Sequence, residues 1–141
     1  MKVLAVVLVV LAVLISVVPQ FTDCQSQGRA LTLQDGRQVP MKCHWTARSE
    51  LVLGIPLFVV GVALFFSRRK ETRTSLSILG VVLGALVILL PTGLIGVCAS
   101  ADMVCNSVMS PALILCGSLV VVVSLASLFL TLMRGEKDLP A

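Results

Sequence analysis

Four long apolar stretches, none containing Asp, Glu, Lys or Arg, limit what this chain can fold into. They are Val3–Val18, Leu51–Phe66, Leu76–Val97 and Pro111–Met133. A helix needs about 20 residues, within a range of roughly 17–25, to cross the hydrocarbon of a bilayer. In lipid every backbone polar group needs an internal partner, so these stretches predict helices and not open strands.

The composition agrees with a membrane location. Hydrophobic residues make up 57% of the chain and charged residues 13%, whereas a soluble domain is about 45–50% apolar and about 25% charged. So much apolar surface cannot be buried inside a core of this size. The sequence therefore predicts an all-α integral membrane four-helix bundle, built from two helical hairpins.

We expect residues 1–141 to form a single transmembrane domain. The predicted spans are about 3–21, 48–66, 76–97 and 110–133, and the predicted extracytoplasmic loops are 22–47 and 98–109. Lys2 and the apolar run behind it resemble the start of a secretory signal. The run ends Ser-Val-Val-Pro-Gln-Phe, without the small-residue pattern of a cleavage site, so we expect an uncleaved first helix.

The basic residues predict the orientation. Seven flank one side of the four spans: Lys2, Arg68, Arg69, Lys70, Arg73, Arg134 and Lys137. Four lie on the other side: Arg29, Arg37, Lys42 and Arg48. The excess places both termini and the Arg68–Arg73 turn in the cytoplasm. The net charge of +4 is then balanced by anionic lipid headgroups, so it indicates no nucleic-acid partner.

Four of the five cysteines fall in the predicted outer loops, two in each hairpin, and we call them the loop cysteines: Cys24, Cys43, Cys98 and Cys105. Outside the cytoplasm thiols are usually oxidised, and four can pair in three ways. We expect two structural disulfides, with Cys24–Cys43 and Cys98–Cys105 as the favoured pairing. Each would close the mouth of one hairpin.

The segment "MKCHWT", residues 41–46, also suggests two kinds of chemistry. Cys and Met are ligands for Cu(I), and imidazole binds several metals. A copper or haem site could therefore form from Met41, Cys43, His44, Met103 and Cys105. Alternatively, two pairs of outer cysteines on four helices match the layout of quinone-coupled thiol oxidoreductases, although a Cys-x-x-Cys pair is absent.

Other side chains are expected to position the helices. Trp45 lies just before the second span, at headgroup depth, and is predicted to be an interfacial anchor. Small residues at helical spacing indicate packing faces. They are Gly54 and Gly61 in the second span and Ser77, Gly80 and Gly84 in the third. We expect these faces to pack within the monomer and not between two copies.

Ion carriers and pumps place ionisable residues at membrane depth, and the four apolar stretches contain none. The sequence therefore argues against a transporter acting alone. No predicted cytoplasmic segment is long enough for a catalytic or nucleotide-binding domain, so we expect a non-enzymatic protein.

The chain also resembles a family of small four-helix bacterial membrane proteins whose domain has no assigned function. The resemblance covers essentially the whole chain, and its most specific part is Met-x-Cys-His-Trp-Thr at residues 41–46. It implies a bacterial inner-membrane protein. Such proteins tend to be encoded beside ABC transporters of the macrolide-exporter or lipoprotein-release type. The resemblance therefore implies an accessory subunit of a larger membrane complex, and it assigns no catalytic residue.

Overall fold

The computed structural model describes residues 2–23, 28, 30–97 and 104–137, with only the backbone described for 134–137. Four helices account for most of it: α1 (Lys2–Thr22), α2 (Lys42–Phe66), α3 (Lys70–Leu89) and α4 (Ser110–Lys137). All four are long and apolar enough to cross a membrane. The prediction of an all-α membrane four-helix bundle is confirmed.

The helices bury one stripe each and leave the other faces to lipid. In α1 the buried side chains recur every three or four residues, the spacing of one helix face. They are Ala5, Leu8, Leu11, Ala12, Ile15 and Pro19. Helix α1 packs along α2, and α3 along α4. Contacts between the two hairpins, α1 with α4 and α2 with α3, are fewer.

Small residues let the helices of the first hairpin approach closely. A Cβ added at Gly54 would overlap the Ser16 hydroxyl of α1. One added at Gly61 would lie 2.8 Å from Cγ2 of Val9. Both predicted packing glycines of α2 therefore face α1 of the same chain.

The second hairpin has the same design. Gly80 lies against Ser124, and Gly84 against Val120 and Val121 of α4. Ser77 donates a hydrogen bond from its hydroxyl to the Ser127 hydroxyl at 3.1 Å. The three small residues of α3 thus pack against α4 within the monomer.

The connections differ from the loops that the sequence predicted. Helix α2 begins at Lys42, ahead of residue 48, because the turns before the apolar run also bury side chains against the bundle. Between α1 and α2, strands β1 (Leu31–Thr32) and β2 (Gln38–Val39) form an exposed antiparallel hairpin. Its turn contains Gly36 in the left-handed region, with φ +75°.

Two single π-helical turns flank the connection between α3 and α4. The first, Leu90–Leu94, continues α3, and the second, Cys105–Met109, leads into α4. Pro91 has no N–H to donate to the α-helical ladder, which explains why the regular helix ends there. The end of the bundle that bears these turns and the start of α2 is called the motif end below. The opposite end, with Lys2 and Phe66, is called the termini end.

Candidate functional site at the motif end of the bundle

The segment Met41–Thr46 lies on the first turns of α2 and not in a loop. Because the segment is helical, its side chains are distributed by face. Cys43 and Thr46 are fully buried in the bundle, whereas Trp45 is 59% exposed. An exposed indole at a helix end fits the predicted interfacial anchor, since amphipathic rings are enriched at headgroup depth.

Two contacts attach the start of α2 to the end of α1. Nδ1 of His44 lies 3.1 Å from Oδ2 of Asp23, a buried carboxylate just beyond α1. Nε2 of Gln20 donates a hydrogen bond to the Ala47 carbonyl at 3.1 Å. His44 therefore has a structural partner in Asp23, 21 residues away in the sequence, a pairing that no local sequence pattern indicates.

A third contact joins the two hairpins. The Thr46 hydroxyl donates a hydrogen bond to the Gly96 carbonyl at 2.8 Å. Gly96 follows the first π-helical turn with φ +80°, a conformation that is strained for other residues. The last residue of "MKCHWT" thus holds the end of the α3 segment against α2.

The loop cysteines are only partly within the described residues. Cys43 and Cys105 are both fully buried in the hydrophobic core, and Met41 packs against that core. Cys24, Cys98 and Met103 lie outside the described residues. Cys43 is a free thiol in the structure, and both disulfides remain predictions for the oxidised protein.

The sequence-derived metal or haem site also has only some of its residues described. Within the described ranges, no three His, Cys, Asp or Glu side chains come together as metal ligands. His44 is directed to Asp23, whereas Cys43 lies in the apolar core. Copper or haem binding therefore remains a prediction for a set that includes Met103.

Glu50 corrects the expectation that the spans carry no ionisable group. It lies on α2, one turn beyond Thr46, and its side chain is fully buried. The helix midpoint is Gly54, so Glu50 is about 6 Å along the axis from the centre. The hydrocarbon extends about 15 Å on either side of its midplane. Centring α2 on the midplane of the bilayer therefore places the carboxyl group at membrane depth.

Both carboxyl oxygens of Glu50 are buried and have no hydrogen-bond partner among the described residues. Glu50 lies just outside the second apolar stretch, which begins at Leu51, so hydropathy alone does not place it in the span. A spacing of seven could have revealed it, since Cys43, Glu50, Leu57 and Leu64 occupy one face of α2 and all four are buried.

A groove opens between α2 and α3 at the motif end, where the two hairpins meet. It has a volume of about 440 Å³. Its walls are apolar and its mouth is polar: Val52, Leu53, Leu86, Leu90 and Leu94 line the walls, and Trp45, Arg48 and Ser49 the mouth. The groove is therefore apolar over most of its lining, with Arg48 and Ser49 as its polar residues.

Comparison with known proteins gives one family match. The family model described as a domain of unknown function (DUF4418) matches residues 3–130, most of the chain. No curated protein sequence and no solved structure matches the chain significantly.

Proposed function

We propose that this chain, which belongs to the DUF4418 family, is a non-enzymatic accessory subunit of a larger membrane complex. The expected partner is an exporter-type ABC transporter. The observation that carries the proposal is the groove between α2 and α3. It is apolar over most of its length and polar at one end, as the binding site for a membrane-spanning helix needs to be.

The arrangement of the helices explains why the groove is open. Each hairpin packs tightly through its small residues, whereas contacts between α2 and α3 are fewer. Helices associate in lipid through close packing and hydrogen bonds, because lipid tails are as apolar as leucine. A partner helix in the groove would gain both, with Leu53 and Leu86 as packing surfaces and the Arg48 guanidinium as a donor at the mouth.

The proposal includes a bacterial inner-membrane location with both termini in the cytoplasm. The termini end supports this orientation, because Lys2, Arg68 and Arg73 surround a cavity of about 330 Å³ there. Nζ of Lys2 also lies 5.9 Å from the centre of the Phe65 ring. A cluster of cations at one membrane surface favours the cytoplasmic side and its anionic headgroups.

The buried thiols favour a structural role over thiol exchange. Reactive cysteines are partly exposed and lie in electropositive surroundings, but Cys43 and Cys105 are buried in the apolar core. We propose that the loop cysteines stabilise an extracytoplasmic cap through disulfides when oxidised. The cap would hold the motif end, and with it the mouth of the groove, in one shape.

Site-specific photocrosslinking tests the proposed partner. A photoreactive amino acid replaces Val52, which lines the groove and is 66% exposed, or Val122, a similarly exposed residue of α4. We expect irradiation of native membranes to join position 52 to a transporter membrane subunit identified by mass spectrometry. The photoreactive residue at position 122 should form adducts with lipid or no adducts at all, and no crosslink to the transporter subunit. Lipid adducts alone at both positions would contradict the proposal.

A further inference from the structure

Glu50 presents a chemical problem that the accessory role does not explain. Its carboxyl group is fully buried within the bundle, and both oxygens lack a hydrogen-bond partner among the described residues. Burying an isolated carboxylate costs far more than a hydrogen bond returns, so buried charges in proteins are paired or neutralised. A positive charge must therefore be supplied to this group.

The described side chains do not supply that charge. The described titratable groups at the motif end are Asp23, Cys43, His44 and Cys105, with the basic residues Lys42 and Arg48 and the exposed Asp35 and Arg37 of the β-hairpin. The one ion pair found among the described residues joins His44 to Asp23. Arg48 lines the mouth of the groove instead, on a different face of α2 from Glu50, because positions two apart do not share a face.

The surroundings of Glu50 are closed toward the termini end. In that direction Gly54 is closed by Ser16 of α1, and Leu57, two turns along the same face of α2, is fully buried. Toward the motif end the neighbouring position on the same face of α2 is Thr46, whose hydroxyl is already engaged with Gly96. Cys43 and Thr46, on the motif side of Glu50, are also fully buried, so the geometry fits a binding site inside the bundle and not an open conduit through the membrane.

We propose that Glu50 is a cation-binding site inside the bundle, whose ligand is a proton or a small monovalent cation. The ligand neutralises the carboxylate and so allows α2 to stay packed against its neighbours. Loss of the ligand would leave an uncompensated charge at membrane depth, which is costly. Occupancy of Glu50 would therefore control how tightly the motif end closes. This inference does not depend on the partner proposed above.

Infrared spectroscopy of the full-length protein in lipid tests the proposal. The measurement starts at neutral pH in a choline buffer that contains neither Na⁺ nor K⁺. We expect the wild type to show the C=O band of a protonated carboxyl that is absent from Glu50→Gln. If adding Na⁺ or K⁺ abolishes the band, the ligand is a metal cation. If the band persists in salt, the ligand is the proton.

One control variant and one alternative measurement keep the result interpretable. Glu71→Gln removes an exposed carboxyl group from the first turn of α3 and should leave the band unchanged. If Glu50→Gln does not fold, ¹³C labelling of glutamate in the wild type provides a second measurement. The chain has three glutamates, and the label should shift the protonated-carboxyl band. The proposal would be overturned if no band depended on Glu50 or on the label and the carboxylate bands also failed to respond to Na⁺ or K⁺.

Discussion

Replacing Gly84 with leucine tests the packing on which the second hairpin depends. A Cβ at this position would lie 2.9 Å from Cγ1 of Val120, 2.9 Å from Cγ2 of Val121 and 3.2 Å from the backbone nitrogen of Val121. The valine methyl groups can rotate away, but the backbone nitrogen cannot. Helices α3 and α4 would therefore have to separate to accept any side chain here.

The expected cost follows from two opposing terms. Overpacking a well-packed interior costs about 1–3 kcal/mol, and replacing glycine in a helix returns up to about 1 kcal/mol. With the full gain subtracted, the net loss in the free energy of unfolding should be up to about 2 kcal/mol. Such a loss changes the ratio of folded to unfolded protein by up to roughly 30-fold.

Unfolding in mixed micelles with increasing SDS, followed by the fluorescence of the single tryptophan, Trp45, measures this loss. Gly93→Leu is the matched control, because Gly93 is exposed and a Cβ there meets nothing within 4 Å. If Gly84→Leu is as stable as Gly93→Leu, the close approach of α3 to α4 is refuted.

Three further predictions concern the motif end and the orientation. Thr46→Val leaves the Gly96 carbonyl without its donor and should lower stability by about 0.5–1.5 kcal/mol in the same SDS titration, whereas Thr74→Val, at an exposed hydroxyl, should have no measurable effect. In protein from native membranes the loop cysteines should resist alkylation until a reductant is added, as mass spectrometry can show, and four freely alkylated thiols would contradict the disulfides. A reporter inserted at Gln34 should read as extracytoplasmic and one within Arg68–Arg73 as cytoplasmic, and the reverse result would overturn the orientation.

The fold class could be predicted from the sequence because a backbone in lipid must form its hydrogen bonds internally. A long run without charge must become a helix, and four such runs give four helices. The packing glycines followed from spacing alone, since Gly80 and Gly84 are four residues apart and share a face of α3. In the structure that face meets α4 of the same chain.

The start of α2 was harder to predict because polarity and burial diverge there. Lys42, His44 and Arg48 interrupt the apolar pattern and suggest a loop. Cys43, which lies between Lys42 and His44, and Glu50, two residues after Arg48, face the core, where tertiary contacts decide the conformation. Hydropathy reports how polar a residue is and not which side of a helix it occupies. It therefore does not reveal that a glutamate at the edge of an apolar run is buried.

Two local features were missed for other reasons. The exposed β-hairpin has a recognisable signal, since Asp35-Gly36 lies between alternating apolar residues in "LTLQDGRQV". Only a loop was predicted for residues 22–47, which contain this hairpin. The contact of Thr46 with Gly96 has no such signal, because it joins residues 50 positions apart and depends on how the two hairpins meet.

The central claim is that a partner helix binds in the groove between α2 and α3. Its most direct test is whether the partner still co-purifies with this chain when a bulky side chain fills the groove. Leu86→Trp would place a large ring in the groove, whereas Leu119→Trp places it on the exposed face of α4. Each protein is extracted from native membranes in mild detergent, and its complexes are weighed by native mass spectrometry. We expect wild type and Leu119→Trp to retain an ABC transporter membrane subunit and Leu86→Trp to lose it. Wild-type protein extracted as this chain alone, or a transporter subunit retained equally by Leu86→Trp, would contradict the claim.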